Sequence, residues 1–242
     1  MIRTFRAIPL EKIKLVIFDL DGTLIDSEYD LAASVNAMLR QYGRKEIPLE
    51  TIKTYIGDGA PMLVRRALGD PKDQAFLQEA LNFFLSYYRE HKLDSTYAYE
   101  GIAQSLEQIS IFNGNMRKLG VLTNKPVRPA RDILAGLGLA PRFFQIYGGN
   151  SFETKKPDPL GARTIMQEAG ASPEETVMVG DSEPDILTAH NAGIWSIGVN
   201  YGFAPHSLQR ARPDILVDTP AELARALTVA GVSEDAEEVE WN

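Results

Sequence analysis

Apolar residues follow two different periodicities along the chain. Residues 13–20 form a short, nearly continuous apolar run, which is typical of a buried strand. For about ninety residues after this run no second strand is predicted. Apolar residues recur there at helical spacing, first at Leu31, Val35, Met38, Leu39 and Tyr42. The aromatic-rich segment 76–88 continues this pattern, and such a stripe is more typical of a helix-bundle core than of a cofactor site.

After about residue 100, short apolar runs alternate with helical stretches. Strands are predicted over residues 119–122, 144–147, 177–179, 195–199 and 215–217. Helices are predicted to begin near prolines, which suit the first helical turn, at Pro126, Pro159, Pro184 and Pro220. This alternation predicts an α/β fold with a doubly wound, Rossmann-like parallel sheet.

The helical part is then an insertion between the first strand and the rest of the sheet. We expect a discontinuous core at residues 1–25 and 98–231 and an inserted α-helical domain at residues 26–97. Residues 232–242 hold five acidic residues and no basic one, so they are expected to form a solvated, mobile tail.

The charge of the chain argues against nucleic-acid binding. Of the formal net charge of −8, five negative charges lie in the last eleven residues, so the remainder carries only −3. A broad basic face is not expected from this balance.

The chain has no cysteine, which excludes disulfides, a thiolate nucleophile and a thiolate metal site. No apolar run approaches the roughly 18 residues that a membrane span requires. Residues 1–14 lack a continuous apolar stretch of signal-peptide length. We expect a cytoplasmic protein without membrane partners, as a monomer or a homodimer.

Two carboxylates, Asp19 and Asp21, leave the first strand and enter a turn at Gly22. Residues two apart on a strand share a face. Like charges about 4 Å apart repel by roughly 4 kcal/mol at an effective dielectric constant near 20. A bound cation or a shared proton would offset this repulsion. The alternative is an ordinary Asp-Gly turn in which both carboxylates face water.

Polar residues also stand at other predicted strand ends, where open parallel sheets bind ligands. Thr123 and Asn124 follow the second strand, Asp181 and Asp185 follow the fourth, and Lys156 precedes the helix after the third. Each has a structural alternative, since they could serve as a helix cap, a turn, a first-turn acid or a solvated lysine. Their joint occurrence favours one functional site.

Together these residues suit metal-dependent phosphoryl transfer. Four carboxylates, at Asp19, Asp21, Asp181 and Asp185, make an oxygen-only pocket that suits Mg²⁺. Such a pocket could accept the phosphate of a small phosphorylated metabolite.

The remaining polar residues suit the transfer itself. Thr123 and Asn124 would donate hydrogen bonds to phosphate oxygens, and Lys156 would neutralise charge that shifts during transfer. Asp19 could then attack phosphorus to form an aspartyl-phosphate. Asp21 could protonate the leaving oxygen and later deprotonate water.

These residues resemble the motifs of the haloacid dehalogenase superfamily over nearly the whole chain. The matching positions are residues 18–23, Thr123, Lys156 and Gly180-Asp181 with Asp185. The resemblance implies that Asp19 is nucleophile and metal ligand, and that Asp21 is the acid/base and contacts the metal through its backbone carbonyl. Asp181 and Asp185 would be further ligands, and the insert would be a cap that closes over the site and selects substrates.

Within that superfamily the resemblance favours a phosphatase. Dehalogenases have no acid at the position of Asp21. Phosphonate-cleaving relatives use a cap lysine, and Lys45, Lys53 and Lys72 carry no such motif. Phosphoglucomutase relatives usually show a different fourth motif.

Several segments look like the phosphoglycolate phosphatase family, namely residues 23–27, 30–33, 55–60, 123–126 and 201–202. That resemblance implies hydrolysis of 2-phosphoglycolate to glycolate and phosphate. The implied substrate-binding residues are Gly22, Thr123, Asn124, Lys156, Gly57 and Asp58. The cap loop at 55–60 could instead be a plain turn, and Arg65 and Arg66 either bind a substrate carboxylate or face solvent.

Two positions depart from that family's usual pattern. Glu100 stands before Gly101 where proline is usual, and Asp58 stands where many members have asparagine. A second carboxylate near the pocket mouth would disfavour a dianionic acid such as phosphoglycolate. A nucleotide, pyrophosphate or sugar-phosphate phosphatase with the same site is therefore an alternative. A noncatalytic phosphate sensor, phosphorylated on Asp19, is another, although Asp21 is present to activate water.

Overall fold

The apolar run at residues 13–20 forms a buried four-residue strand at the centre of a sheet. The structure is a computed structural model that describes residues 1–229, and the predicted tail at 232–242 lies outside them. The described strands are β1 (Arg3–Thr4), β2 (Leu15–Phe18), β3 (Ile25–Asp26), β4 (Tyr97–Ala98), β5 (Ile111–Phe112), β6 (Asn115–Met116), β7 (Lys118–Leu122), β8 (Gln145–Tyr147), β9 (Thr176–Gly180), β10 (Trp195–Val199) and β11 (Ile215–Val217). The described α-helices are α1 (Glu28–Gln41), α2 (Leu49–Lys53), α3 (Ala60–Ala67), α4 (Gln74–His91), α5 (Ile102–Ile109), α6 (Val127–Gly136), α7 (Leu160–Ala169), α8 (Glu183–Ala192) and α9 (Pro220–Thr228).

The main sheet has the strand order β1-β11-β10-β9-β2-β7-β8. Its strands run parallel except for β1, which pairs antiparallel with β11 at one edge. The chain leaves β2 for β7 and β8 on one side and later returns to β9 on the other. The strand order therefore reverses at β2, and ligands bind at such a point in open α/β sheets. The predicted doubly wound sheet is confirmed, with β1 as its antiparallel exception.

Side chains of β2 alternate between two cores, as the strand period requires. Val16 and Phe18 belong to the larger core, together with residues of α5, α6 and α9. Leu15 and Ile17 belong to a second core with residues of α7 and α8. Helices thus cover both faces of the sheet, which explains why the sequence of β2 is apolar without alternation.

The predicted helical insert consists of α1 to α4. Leu31, Val35, Met38 and Leu39 of α1 are buried, as their helical spacing predicts, and α1 packs against α2, α3 and α4. We refer to residues 26–97 as the cap. None of the described helices, including the 18-residue α4, is long and apolar enough to cross a membrane.

The two passages between sheet and cap pair with each other. In the β3–β4 ribbon, Ile25 lies opposite Ala98 and Asp26 lies opposite Tyr97. The prediction that no second strand occurs in this part of the chain is therefore wrong. Two-residue strands such as β1, β3 and β4 carry no apolar run that would signal them. The boundaries predicted between core and insert, at 25/26 and 97/98, fall within this ribbon. They remain predictions.

Candidate active site

Lys156 joins two of the predicted carboxylates at the carboxyl end of the sheet. Its ammonium lies 2.7 Å from Oδ1 of Asp19 and 2.5 Å from Oδ1 of Asp185. All three residues are buried. Burial lowers the pKa of Lys156, but the charges of Asp185 and Asp19 outweigh this, so the net shift is upward. Lys156 is therefore a fixed positive charge beside the predicted nucleophile.

Asp19, Asp181 and Asp185 form a cluster that could hold a metal ion. Each offers one carboxylate oxygen, and these oxygens lie within 4.8 Å of one another. Burial raises the pKa of Asp19 to about 6 despite the attraction of Lys156. Burial, together with the charges of Asp185 and Asp19, raises the pKa of Asp181 to about 8. A cation would relieve this repulsion, and the all-oxygen donor set fits a hard ion such as Mg²⁺.

Close backbone approaches hold Asp181 in the cluster. Its Oδ2 accepts hydrogen bonds from the backbone N of Phe203 at 2.8 Å and of Ala204 at 3.3 Å. A Cβ added at Gly22 would lie 2.4 Å from that Oδ2, and one at Gly202 would lie 2.3 Å from the Asp181 Cβ. Both positions need glycine because Asp181 occupies the space. The structure thus places Gly22, which was predicted to bind substrate, against a candidate metal ligand.

Asp185 is held by the first turn of α8. Its Oδ2 accepts hydrogen bonds from the backbone N of Ser182 at 3.1 Å and from the Ser182 hydroxyl at 2.6 Å. Its Oδ1 faces Lys156. The first-turn role that the sequence allows for Asp185 and its place in the carboxylate cluster therefore coexist.

The carboxylate of Asp21 lies outside the metal-binding cluster and has partners of its own. Its oxygens lie 2.8 Å and 3.0 Å from the ammonium of Lys125, and the Ser27 hydroxyl donates to Oδ1 at 2.6 Å. Burial lowers the pKa of Lys125, but Asp21 and Tyr88 raise it by more. Lys125 is thus a buried cation directed at Asp21. That Asp21 contacts a metal through its backbone carbonyl stays a prediction.

Thr123 and Asn124 follow β7, as the sequence predicts, but Asn124 faces the cap. Its side-chain nitrogen donates to the carbonyl oxygens of Gly57 at 3.0 Å and of Lys156 at 3.2 Å. Its Oδ1 is buried and accepts no hydrogen bond from the described residues. Thr123 is buried and lines the pocket. The Asn124 amide therefore joins cap and core, and its predicted contact with phosphate stays a prediction.

The cap loop at residues 55–60 docks on the loop that follows β7. Gly59 has a φ of +85°, and a Cβ there would lie 2.8 Å from the carbonyl oxygen of Asn124. The ammonium of Lys155 donates to the carbonyl oxygen of Asp58. Gly57 and Gly59 line the pocket, whereas Asp58 is not among its lining residues. The loop is thus a docking contact between cap and core, beyond a plain turn between helices.

The charged residues near the cap loop pair with one another. The carboxylate of Asp58 forms an ion pair with Arg66. Arg65 donates to Asp70 at 2.8 Å and to Gln74 at 3.2 Å. Neither arginine is among the residues that line the pocket. In this structure Asp58 is therefore a compensated charge outside the pocket.

A pocket between the cap and the sheet edge encloses about 690 Å³ of space, part of it open to solvent. The core side carries Asp19, Asp21, Thr123 and Asp181. The cap side is largely apolar and is lined by Leu31, Ile56, Leu63, Phe84, Leu85 and Tyr88. The site therefore combines an anionic floor with an apolar wall, which suits a small ester whose polar end lies on the floor.

Sequence reasoning did not assign a role to Lys125, Ser27 or Tyr88. Lys125 directly follows Thr123 and Asn124, so its position after a strand was an available signal. Tyr88 belongs to the aromatic stripe interpreted as bundle core, and the structure shows it both buried and lining the pocket. That second role depends on how the cap docks, which helical spacing does not encode.

Comparisons with known proteins identify the family of this chain. A family model described as haloacid dehalogenase-like hydrolase matches residues 16–199. The chain belongs to this family. It is 38% identical over 216 residues to a phosphoglycolate phosphatase of Pseudomonas putida, covering 85% of this chain and 76% of that protein. It is 39% identical over 218 residues to one of Chromobacterium violaceum, covering 88% and 96% of the two chains.

A solved structure has the same fold. The crystal structure of a predicted phosphoglycolate phosphatase from Haemophilus somnus superposes with a TM-score of 0.82 at 30% identity, covering 88% of this chain and 97% of that one. Family and relatives together confirm the prediction that this chain is a phosphatase.

Proposed function

We propose that this phosphatase hydrolyses small phosphomonoesters through an aspartyl-phosphate on Asp19, with Mg²⁺ as cofactor and 2-phosphoglycolate as substrate. The observation that carries the proposal is the meeting of Asp19, Lys156, Asp181 and Asp185 in one buried group, of which Asp19 and Asp181 line the pocket. The proposed setting is the cytoplasm, with no nucleic-acid or membrane partner.

Asp19, Asp181 and Asp185 are the residues that would hold Mg²⁺, together with the backbone carbonyl of Asp21. When bound, the ion would supply positive charge to the phosphate oxygens and offset the repulsion between the carboxylates and the negatively charged substrate. Lys156 supplies a second positive charge, and Asp185 fixes its position at 2.5 Å. Thr123, which is buried and lines the pocket, would donate to a phosphate oxygen.

The proposed reaction has two displacements at phosphorus. A carboxylate oxygen of Asp19 forms a bond to phosphorus while the ester P–O bond breaks, and the leaving oxygen takes a proton from Asp21. Water then attacks the same phosphorus and gives a proton to Asp21, and the bond to Asp19 breaks. Inorganic phosphate leaves, and both aspartates return to their starting forms.

The names of the relatives support 2-phosphoglycolate as the substrate. The sequence argument against it was the charge of Asp58, and the pairing of Asp58 with Arg66 outside the pocket weakens that argument. A second candidate is a phosphatase for a different small ester, and it is favoured because no guanidinium lines the described pocket to pair with the carboxylate of 2-phosphoglycolate.

Rates on a panel of phosphomonoesters test the substrate. We expect 2-phosphoglycolate to show the highest kcat/KM, and a rate no better than the panel average would favour a nucleotide, pyrophosphate or sugar phosphate. Replacing Asp19→Asn should lower turnover by about 10³-fold or more, and chelation of metal should abolish it. Labelled phosphate trapped on Asp19 should be released within one turnover, whereas retention for hours would indicate a phosphate sensor.

A further inference from the structure

The side chain of Lys125 contacts both carboxylate oxygens of Asp21. Its ammonium lies 2.8 Å from Oδ1 and 3.0 Å from Oδ2, so both oxygens face one cation. The side chain of Lys125 is only 4% exposed. A buried ammonium that contacts both oxygens restricts the rotation of the carboxylate. The direction in which Asp21 presents its oxygens therefore depends on Lys125.

The cap supplies the surface on which Lys125 rests. The ammonium lies 4.7 Å from the centre of the Tyr88 ring, a distance at which a cation is attracted to an aromatic face. Tyr88 is buried in α4 and lines the pocket. Lys125 itself follows β7 in the core. The contact thus runs from a cap helix through a core lysine to the predicted acid/base.

Ser27 adds a second link between cap and Asp21. Its hydroxyl donates to Asp21 Oδ1 at 2.6 Å, and Ser27 directly precedes α1. The carboxylate of Asp21 is therefore bound by Ser27 of the cap and by Lys125 of the core.

We propose that Lys125 is a positioning residue that aligns Asp21 for both of its proton transfers, and that Tyr88 holds Lys125 in place when the cap is docked. The proposal rests on the role given to Asp21 under the proposed function. Lys125 acts through Asp21, so its removal should affect only the steps that need a proton transfer. Transfer to Asp19 from an ester with an activated leaving group needs none, because that leaving group departs without protonation.

Lys125→Met tests this prediction, with the full chain loaded with Mg²⁺ and assayed on two esters. For ethyl phosphate, whose leaving group needs a proton, kcat/KM should fall by on the order of 10²-fold. For p-nitrophenyl phosphate, kcat/KM should stay within about 3-fold while kcat and KM fall together, because water activation becomes limiting. Rapid quenching should show phosphorylated Lys125→Met protein accumulating on the second ester.

Lys118→Met is the matched control. Lys118 begins the same strand, β7, but it is exposed and donates to the carbonyl oxygen of Ala169. Its kinetics should match those of the unmodified protein on both esters. Tyr88→Leu, which keeps the lysine charge but removes the ring, should show a weaker form of the same difference between the two esters. This variant decides the question if Lys125→Met does not fold.

Equal losses on both esters would overturn the proposal, since they would show a structural effect or a role in phosphate binding. So would a loss confined to KM for 2-phosphoglycolate, which would make Lys125 a carboxylate-binding residue. Asp21→Asn separates failure of this inference from failure of the proposed function. If kcat/KM falls more on ethyl phosphate than on p-nitrophenyl phosphate in Asp21→Asn but not in Lys125→Met, only the inference fails. If Asp21→Asn shows no such difference between the esters, the acid/base role itself is refuted.

Discussion

Asp30 and Thr96 join the two passages between core and cap. Asp30 lies in the first turn of α1, and its Oδ2 accepts hydrogen bonds from the backbone N of Thr96 at 2.9 Å and from the Thr96 hydroxyl at 2.7 Å. The backbone N of Ser95 donates to both carboxylate oxygens, at 2.9 Å and 3.1 Å. The buried carboxylate of Asp30 thus accepts hydrogen bonds from the backbone N–H groups just before β4, where the chain leaves the cap.

Removing this carboxylate should destabilise the protein. Asp30→Ala leaves the donors of buried Thr96 and the backbone N of Ser95 without their carboxylate partner, which should lower the free energy of unfolding by about 3 kcal/mol. Thr96→Val removes a single donor and should cost only about 1 kcal/mol. Urea unfolding measures both values. A loss below about 0.5 kcal/mol for Asp30→Ala would show that water satisfies these donors instead.

The docked position of the cap loop depends on Gly59. Gly59→Ala places a methyl group 2.8 Å from the carbonyl oxygen of Asn124 in a left-handed conformation. We expect kcat/KM to fall on the order of 10-fold, because the displaced loop lines the pocket. Gly69→Ala is the control, since Gly69 also has a positive φ, +75°, but nothing lies within 4 Å of its added Cβ.

The Gly69→Ala protein should lose about 1 kcal/mol of stability, from backbone strain alone, and keep its kcat/KM. Steady-state assays and thermal unfolding of both variants make the comparison. If Gly59→Ala kept its kcat/KM as Gly69→Ala is expected to, the docked position of the loop would not limit activity.

The sequence predicts the site where the signal is local. Asp19, Asp181 and Asp185 follow apolar strands, and parallel strands bring their carboxyl ends to one edge whatever the details of packing. The alternation of strand and helix after residue 100 predicts the sheet for the same reason. These inferences need only the order of elements along the chain.

What the sequence does not predict depends on long-range docking. The contact of Lys125 with Tyr88 exists only because α4 of the cap lies close to the loop after β7. The engagement of Asn124 with Gly57 likewise requires the cap loop in place. Strands β3 and β4 pair with each other but have only two residues each, which is too short for a periodicity to be detected in the sequence.

The pairing of Asp58 with Arg66 gives a test of substrate selection. Because Asp58 is compensated and outside the pocket, Asp58→Asn should leave KM for 2-phosphoglycolate within about 2-fold. Arg66→Met leaves the carboxylate of Asp58 without its ion-pair partner. This change should raise the KM for 2-phosphoglycolate, because the unpaired carboxylate repels a dianion near the pocket mouth. A tenfold drop in KM for Asp58→Asn would support the repulsion that the sequence alone suggested.

The carboxylate cluster should make the metal-free protein less stable as pH rises. The pKa of Asp181 is raised from its usual 3.8 to about 8 by burial and by Asp185 and Asp19. Between these values the folded protein keeps a proton that the unfolded chain has lost, so this contribution to the free energy of unfolding decreases with increasing pH. Urea unfolding of metal-stripped protein at about pH 5.5 and about pH 8.5 should show the decrease, and Asp181→Asn should reduce it. Added Mg²⁺ should stabilise the unmodified protein more at the higher pH, because protons no longer compete for the cluster. Parallel pH profiles for the unmodified and Asp181→Asn proteins would show that Asp181 is already ionised without metal.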